Sequence, residues 1–308
     1  MQQAWILRFG ELGLKSKIVR RQFQRALNSN MEKLAIDSGI SLVQDRIKTM
    51  EVVTSSSDPD LAEDLLCHVL GVVAIDPAQV IAETLDPKVV AAEILARDPR
   101  AGEARTFGVR ARRVGAKTEY SSREYCSAIG SEMWEQDGNL TVDLTNPDMW
   151  VRLVMEPDRV WLMNDRITAA GGLPPGVQGD VLCRVSDEDG LRSAFLIMRR
   201  GSRLIPVDGC DDELIAILRK WDPYIGRYSL ESDGKGGKRR RHPWGVVGLS
   251  TEEGESMIQR RETDVKTVPL STLEPLCAWT DEEKEALSLH IRQPAKNQCM
   301  VDMNAWVS

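Results

Sequence analysis

The stretch Gly171 to Gly179 (GGLPPGVQG) constrains the fold of this 308-residue chain more than any other segment. Four glycines and two prolines in nine residues mix flexible and stiff punctuation without apolar periodicity, so the stretch reads as a linker. It divides the chain into two blocks, each long enough to bury a core of its own. No apolar run approaches the ~20 residues needed to cross a bilayer. Met1 to Gly10 has no basic region leading into an apolar one, because Arg8 interrupts the only candidate. A cytoplasmic protein without membrane association is expected. Net charge of −7 argues against indiscriminate coating of nucleic acid, so local charge matters more than the total. The six cysteines form no Cys-x-x-Cys pair and there are only three histidines, so reduced, mostly buried thiols and no metal site are expected.

Before the linker, Trp5, Leu7 and Phe9 alternate as in a half-buried strand. Phe23, Leu27, Met31 and Leu34 then recur at helical spacing, with Lys17, Arg20, Arg21 and Arg25 on the exposed turns. Ile47 to Val53 reads as one strand, and Asp58 caps a helix whose apolar side carries Leu61, Leu65, Leu66 and Val69. A short strand at Val72 to Ile75 precedes a helix from about Asp86 to Arg97, with Val89, Val90, Ile94 and Leu95 inward. In Thr106 to Arg113, Phe107, Val109 and Ala111 point to one face while Arg110 and Arg112 point to the other, because side chains alternate along a strand. A helix from about Ser122 to Glu135 and paired strands at Leu140 to Leu144 and Trp150 to Met155 complete the block. After the linker come a strand at Asp180 to Val185, a helix at Leu191 to Arg200, a strand at Arg203 to Val207, a helix at Asp211 to Lys220 and a strand at Trp244 to Leu249. That alternation predicts a parallel, doubly wound sheet, interrupted by a glycine-rich basic loop at Glu231 to Arg241.

Four features in order carry a family resemblance: Arg8-Phe9-Gly10-Glu11 before a basic helix, Phe107 to Arg113 followed by Tyr120-Ser121-Ser122, Asn146-Pro147-Asp148 before a strand, and the glycine- and proline-rich linker. Together they resemble the tRNA 4-thiouridine synthetases (tRNA sulfurtransferases), nearly continuously from Trp5 to about Gly201 and more faintly to about Glu285, through Pro269 to Trp279. The resemblance implies an α/β protein with a ferredoxin-like N-terminal unit over 1–57, a THUMP module over 58–166 and a linker over 167–179. Over 180–308 it implies a shortened Rossmann-like parallel-sheet domain of the PP-loop (adenine nucleotide alpha hydrolase-like) type. THUMP modules of this kind bind the acceptor end of tRNA. The residues agree with that expectation: Arg110, Arg112, Arg113, Lys117 and Arg123 offer several phosphate partners, and arginine forks bind phosphate bidentately. Lys15, Lys17, Arg20 and Arg21 extend the expected RNA contact; a solvated charged face is the competing explanation.

The nucleotide loop departs from the family. Relatives carry a Ser-Gly-Gly-x-Asp-Ser loop whose backbone amides hold the pyrophosphate of ATP at a helix N-terminus. Here it reads Ser186-Asp187-Glu188-Asp189-Gly190, so two carboxylates replace two glycines. Each costs on the order of 1 to 4 kcal/mol against a polyphosphate at surface dielectric. Val185, Ser186, Asp189, Gly248 and Ser250 are the residues left to hold a nucleotide in the family's manner. The family's His-Phe pair is replaced by Asp208-Gly209, and the glutamine of its later loop by Met257. No cysteine lies in Asp211 to Leu276, where many members carry an acceptor cysteine. Asp187, Glu188 and Asp189 could ligate a divalent metal or simply favour a helix N-terminus. Cys210 could be a nucleophile, but an inert structural thiol is the stronger expectation, since nothing near it in sequence lowers its pKa. The expected protein is a tRNA-binding adaptor or pseudo-enzyme in tRNA modification and 4-thiouridine biosynthesis, needing no cofactor, with a tRNA-modifying enzyme or sulfur carrier as further partner and a homodimer left open. The alternative is an active sulfurtransferase using ATP and Mg2+ to adenylate and thiolate a tRNA uridine. A scaffold with vestigial RNA contact is the third reading.

Overall fold

The computed structural model describes residues 3–10, 16–47, 50–227, 243–258 and 270–296. The chain forms two compact units, each discontinuous in sequence: Met1–Leu7, Val43–Ser56 and Asp76–Ile167 make one, and Arg8–Leu42, Ser57–Ile75 and Thr168–Ser308 the other. Among the described residues no helix is long and apolar enough to cross a membrane.

The first strand, β1 (Gln3–Phe9), buries Trp5 and Ile6 completely. Helix α1 (Lys17–Ser38) starts at Ser16 and stops at Gly39, which adopts the left-handed conformation that glycine permits. Its buried stripe is the expected Phe23, Leu27, Met31 and Leu34. The segment expected as one strand, Ile47 to Val53, belongs to two: β2 (Leu42–Ile47), which Ile47 closes, and β3 (Met50–Ser55). An edge position leaves every residue of β2 half-buried or exposed, which weakens its apolar signal. Asp58 caps α2 (Pro59–Cys67) as expected, but Leu61, expected inward, is 59% exposed in the first turn.

The strand expected to end at Ile75 continues as β4 (Val72–Ala82). Asp76 and Pro77 disguise it in sequence. Asp76 is buried, and Arg166 donates to it through a fork at 2.6 and 3.1 Å. Helix α3 (Pro87–Leu95) is capped by Asp86 and buries Val90 and Ile94, whereas Val89, expected inward, is 42% exposed. There follow β5 (Arg105–Arg113), α4 (Ser122–Gln136), β6 (Leu140–Val142), β7 (Met149–Met155), β8 (Val160–Met163) and β9 (Ile167–Thr168). The expected pairing of β6 with β7 is incorrect: each lies parallel to β5, on opposite sides of it. The resulting sheet has the order β2-β3-β1-β4-β8-β7-β5-β6, with β9 on β4. Helices α3 and α4 cover one face over Phe107, Val109, Val151 and Leu153.

The other unit contains a four-stranded parallel sheet, in the order β11-β10-β12-β13, as the alternation predicted. Its elements are β10 (Asp180–Cys183), α5 (Glu188–Arg199), β11 (Arg203–Pro206), α6 (Asp212–Arg219), β12 (Gly245–Val247), α7 (Thr251–Met257), β13 (Ser271–Thr272) and α8 (Asp281–Arg292). Phe195, Leu218, Trp221 and Ile291 fill the core on one side. The basic loop expected at Glu231 to Arg241 lies outside the described residues. Gly171 to Gly179 contains no helix and no ladder strand, yet it is firmly held. Leu173 N–H donates to Arg199 O at 2.9 Å, and the amides of Gly176 and Gln178 both donate to Gly201 O. Gly172 has φ +73°, and a Cβ there would fall 2.3 Å from Arg199 O, so only glycine fits.

Candidate functional site

The cationic face arises from the alternation of β5. Phe107 and Val109 are buried, and Arg110 and Arg112 stand exposed on the opposite face. Arg113 is exposed at the strand end, where its amide donates to Ser122 Oγ at 3.2 Å. Lys117 is exposed in the following loop and Arg123 in the first turn of α4, which a capping box between Ser121 and Glu124 holds in place. The five expected side chains are thus presented to solvent by one strand, the loop after it and one helix start. Lys17, Arg20 and Arg21 are exposed on the first turns of α1, at the one-face spacing of a helix. Lys15 lies outside the described residues.

Two further residues join this face. The guanidinium carbon of Arg110 sits 3.7 Å from the centroid of the Trp150 ring, a cation–π contact that fixes the charge in space. The indole fits because its register partner on β5 is Gly108, where a Cβ would come within 2.7 Å of it. Arg152 of β7 is the register partner of Arg110 and pairs at 3.3 Å with the fully exposed Asp165. The alternation of Trp150, Arg152 and Val154 against Val151, Leu153 and Met155 was the available signal for Arg152. Only the register of β7 against β5 joins that signal to the cationic face. Beside β5, an apolar cleft of about 660 Å³ opens between α4 and β6. It is rimmed by Arg123 and includes Trp134 and Leu144, which are 57% and 67% exposed.

The second region lies at the carboxyl ends of the parallel strands, where open α/β sheets place their ligands. A cleft of about 580 Å³ gathers Ser186, Asp189, Gly248 and Ser250 of the expected set, together with Arg184. Val185 is not in its lining, being wholly buried in the core. Asp187 is the N-cap of α5 and accepts from Gly190 N–H at 2.8 Å, so the chain's own carboxylate occupies a helix-start amide that an anion would use. Ser250 caps α7, accepting from Glu253 N–H at 3.1 Å. Gly248 has φ +73°, and a Cβ there would lie 2.2 Å from Arg184 O. The Arg184 guanidinium donates to Glu253 Oε1 at 3.0 Å and to Asp208 O at 3.2 Å.

The acidic run does not converge on one point. Glu188 accepts from Arg292 and from Ser288 of α8, and Asp189 accepts from Arg192 at 2.7 Å and pairs with Lys284. Arg292 holds the Glu188 carboxyl below the usual range, and Arg192 does the same for Asp189. The run is therefore a helix cap plus ion pairs to α8. Among the described residues no group of three His, Cys, Asp or Glu side chains is placed to hold a metal ion.

Cys210 differs from its expected inert state. The thiol of Cys183, the amides of Val185 and Val207 and the charge of Arg184 bring its pKa down to about 6 against the effect of burial. Of those partners, Cys183, Arg184 and Val185 come from the neighbouring strand β10 and the loop beyond it, distant in sequence.

The THUMP domain model matches residues 88–165, and the ThiI ferredoxin-like domain model matches residues 4–75. A probable tRNA sulfurtransferase of Methanocaldococcus jannaschii is 31% identical over 235 residues, covering 73% of this chain and 61% of that protein. One from Methanobrevibacter smithii is 34% identical over 215 residues, covering 67% and 53%. The chain thus spans between about half and three fifths of the length of these curated relatives. Among solved structures, PH1313 from Pyrococcus horikoshii superposes with a TM-score of 0.69 at 23% identity, over 94% of this chain and 99% of that one. A 4-thiouridine synthetase–RNA complex with bound ATP superposes with a TM-score of 0.62 at 18% identity, over 95% and 86%. At these identities the likeness establishes the fold: a ferredoxin-like unit, a THUMP module and a parallel-sheet domain.

Proposed function

We propose that the chain, which carries a THUMP domain and a ThiI ferredoxin-like domain and resembles tRNA sulfurtransferases, binds tRNA through the cationic face of β5 and acts as an adaptor in tRNA modification rather than as the adenylating enzyme. The observation that carries the reading is Arg110 stacked on Trp150, with Arg112 and Arg152 on the same strand face and Arg113, Lys117 and Arg123 exposed at the adjoining strand end, loop and helix start. Guanidinium groups held in advance lose little freedom on meeting phosphates, and a neighbouring apolar cleft suits unstacked bases. Lys17, Arg20 and Arg21 supply a second cationic cluster for the same polyanion.

Against adenylation stands the engagement of the Gly190 amide by Asp187. A triphosphate held in the family's manner must displace that carboxylate and then face it, at a cost on the order of 1 to 4 kcal/mol per like-charge contact. The residues at this loop do not fit the group, and no step is assigned through it. A tRNA-modifying enzyme or a sulfur carrier is the natural third partner of such an adaptor. The retained glycine geometry at Gly248 favours the second reading, an active sulfurtransferase using ATP and Mg2+.

Titration of the chain with tRNA and, separately, with ATP and Mg2+ tests both. The expected result is salt-sensitive tRNA binding, lost in Arg110→Glu/Arg112→Glu, with no ATP affinity. Measurable ATP affinity selects the enzyme, and absence of tRNA binding removes the central reading.

A further inference from the structure

Cys183 ends β10, and Cys210 follows β11, the adjacent parallel strand, so the Cys210 thiol reaches the backbone of Cys183 although 27 residues separate them. The backbone around them is pinned: Val207 N–H donates to Cys183 O at 3.0 Å and Asp211 N–H to Val185 O at 2.7 Å. Cys183 is wholly buried, whereas Cys210 is only half-buried. The sulfur of Cys210 accepts from Val185 N–H at 3.4 Å, and its thiol donates to Cys183 O at 3.5 Å. The Cys183 side chain and the positive charge of Arg184, the residue after Cys183, both favour the Cys210 thiolate. An amide, a thiol and a guanidinium converging on one partly accessible sulfur is the setting in which cysteines react as thiolates. Neither the cationic face nor the cleft uses these two residues.

We propose that Cys210 and Cys183 form a reversible dithiol–disulfide site for small organic disulfides, with Cys210 as the attacking thiol and Cys183 as the resolving one. Access sets the order, because only Cys210 is open to solvent. The Cys210 thiolate attacks one sulfur of the disulfide; a new S–S bond forms as the old one breaks, and the first organic thiolate leaves and takes a proton from water. The Cys183 thiol then attacks Cys210 Sγ, closing the internal disulfide. The second organic thiol departs with the proton Cys183 gives up. Two protein thiols are oxidised and one disulfide is reduced to two thiols. The internal bond ties the end of β10 to the segment entering α6, beside Arg184.

The test is incubation of the full chain with oxidised glutathione, acid quenching and peptide mapping by mass spectrometry. The expected product is a Cys183–Cys210 disulfide that a reducing dithiol reverses. Cys183→Ser should stop at a mixed disulfide on Cys210, and Cys210→Ser should leave Cys183 unmodified. The proposal is overturned if the exposed Cys277 reacts while Cys210 does not, or if glutathione stays on Cys210 in the unaltered chain without transfer to Cys183. Both of those outcomes are read on the unaltered chain, so neither depends on a variant folding.

Discussion

Arg203, at the start of β11, is the hub of a buried polar network, and replacing it by Met should destabilise its unit by about 3 to 5 kcal/mol. Its Nε donates to Asp222 Oδ2 at 3.1 Å, and its Nη2 donates to Asn30 Oδ1 at 3.2 Å and to Pro175 O at 3.0 Å. Asp222 is 0% exposed and the Arg203 side chain 11%, so water cannot replace the guanidinium around the carboxylate. The magnitude follows from losing one member of a buried ion pair; the two neutral acceptors overlap with that loss rather than adding to it. At 1.4 kcal/mol per decade, the unfolding constant rises by roughly two to three and a half decades. Hydrogen exchange of peptides spanning Arg203 to Ile225 under increasing urea is the suitable assay, because two compact units need not unfold together. The double variant Arg203→Met/Asp222→Leu removes both charges and should recover much of the loss, as buried pairs are often replaceable by apolar residues. A loss below about 1 kcal/mol for the single variant, or a double variant no better than the single, refutes the reasoning.

Trp150→Ala should weaken tRNA binding about 2- to 5-fold, the worth of one exposed cation–π contact, while leaving the salt slope unchanged. Arg152→Gln should instead lower that slope by about 0.7 to 0.9; identical slopes for the two variants count against the assignment of Arg152 to the interface. Burial lowers the pKa of His68 below the ordinary value of about 6.5, partly offset by the Asp64 carbonyl at 2.7 Å and the Asp64 charge. The unfolded chain therefore binds the proton more tightly, so this contribution to stability is intact above about pH 6.5 and is lost as pH falls below it. His68→Phe should flatten the acid limb of a pH–stability curve, and an unchanged limb sinks the claim.

The parts of this fold that were legible in sequence are those whose role is settled within one element. The alternation of β5 announced its cationic face, the spacing of Phe23, Leu27, Met31 and Leu34 announced α1, and Asp58 and Asp86 marked helix starts. The parts that were not legible are settled by a partner far along the chain. Asp76 looked like the end of a strand because the Arg166 that neutralises it lies 90 residues away. β8 reads as four consecutive large apolar residues, with neither the alternation nor the length that marks a strand. The charges at Glu188 and Asp189 were visible, but the α8 residues they pair with, Arg292 and Lys284, were not. The same limit makes the two sites unevenly legible in sequence. Arg110 could be named from β5 alone, whereas Trp150 and Arg152 became part of the surface only through the register of β7 against β5. Cys210 could be located but not characterised, because its environment is made by Cys183 and Val185 across the pairing of β10 with β11. In both units, then, parallel pairing converts a residue of ordinary type into a chemically distinct one. A one-residue change of register would separate Arg110 from Trp150 and Cys183 from Cys210 while leaving every local pattern in the sequence intact.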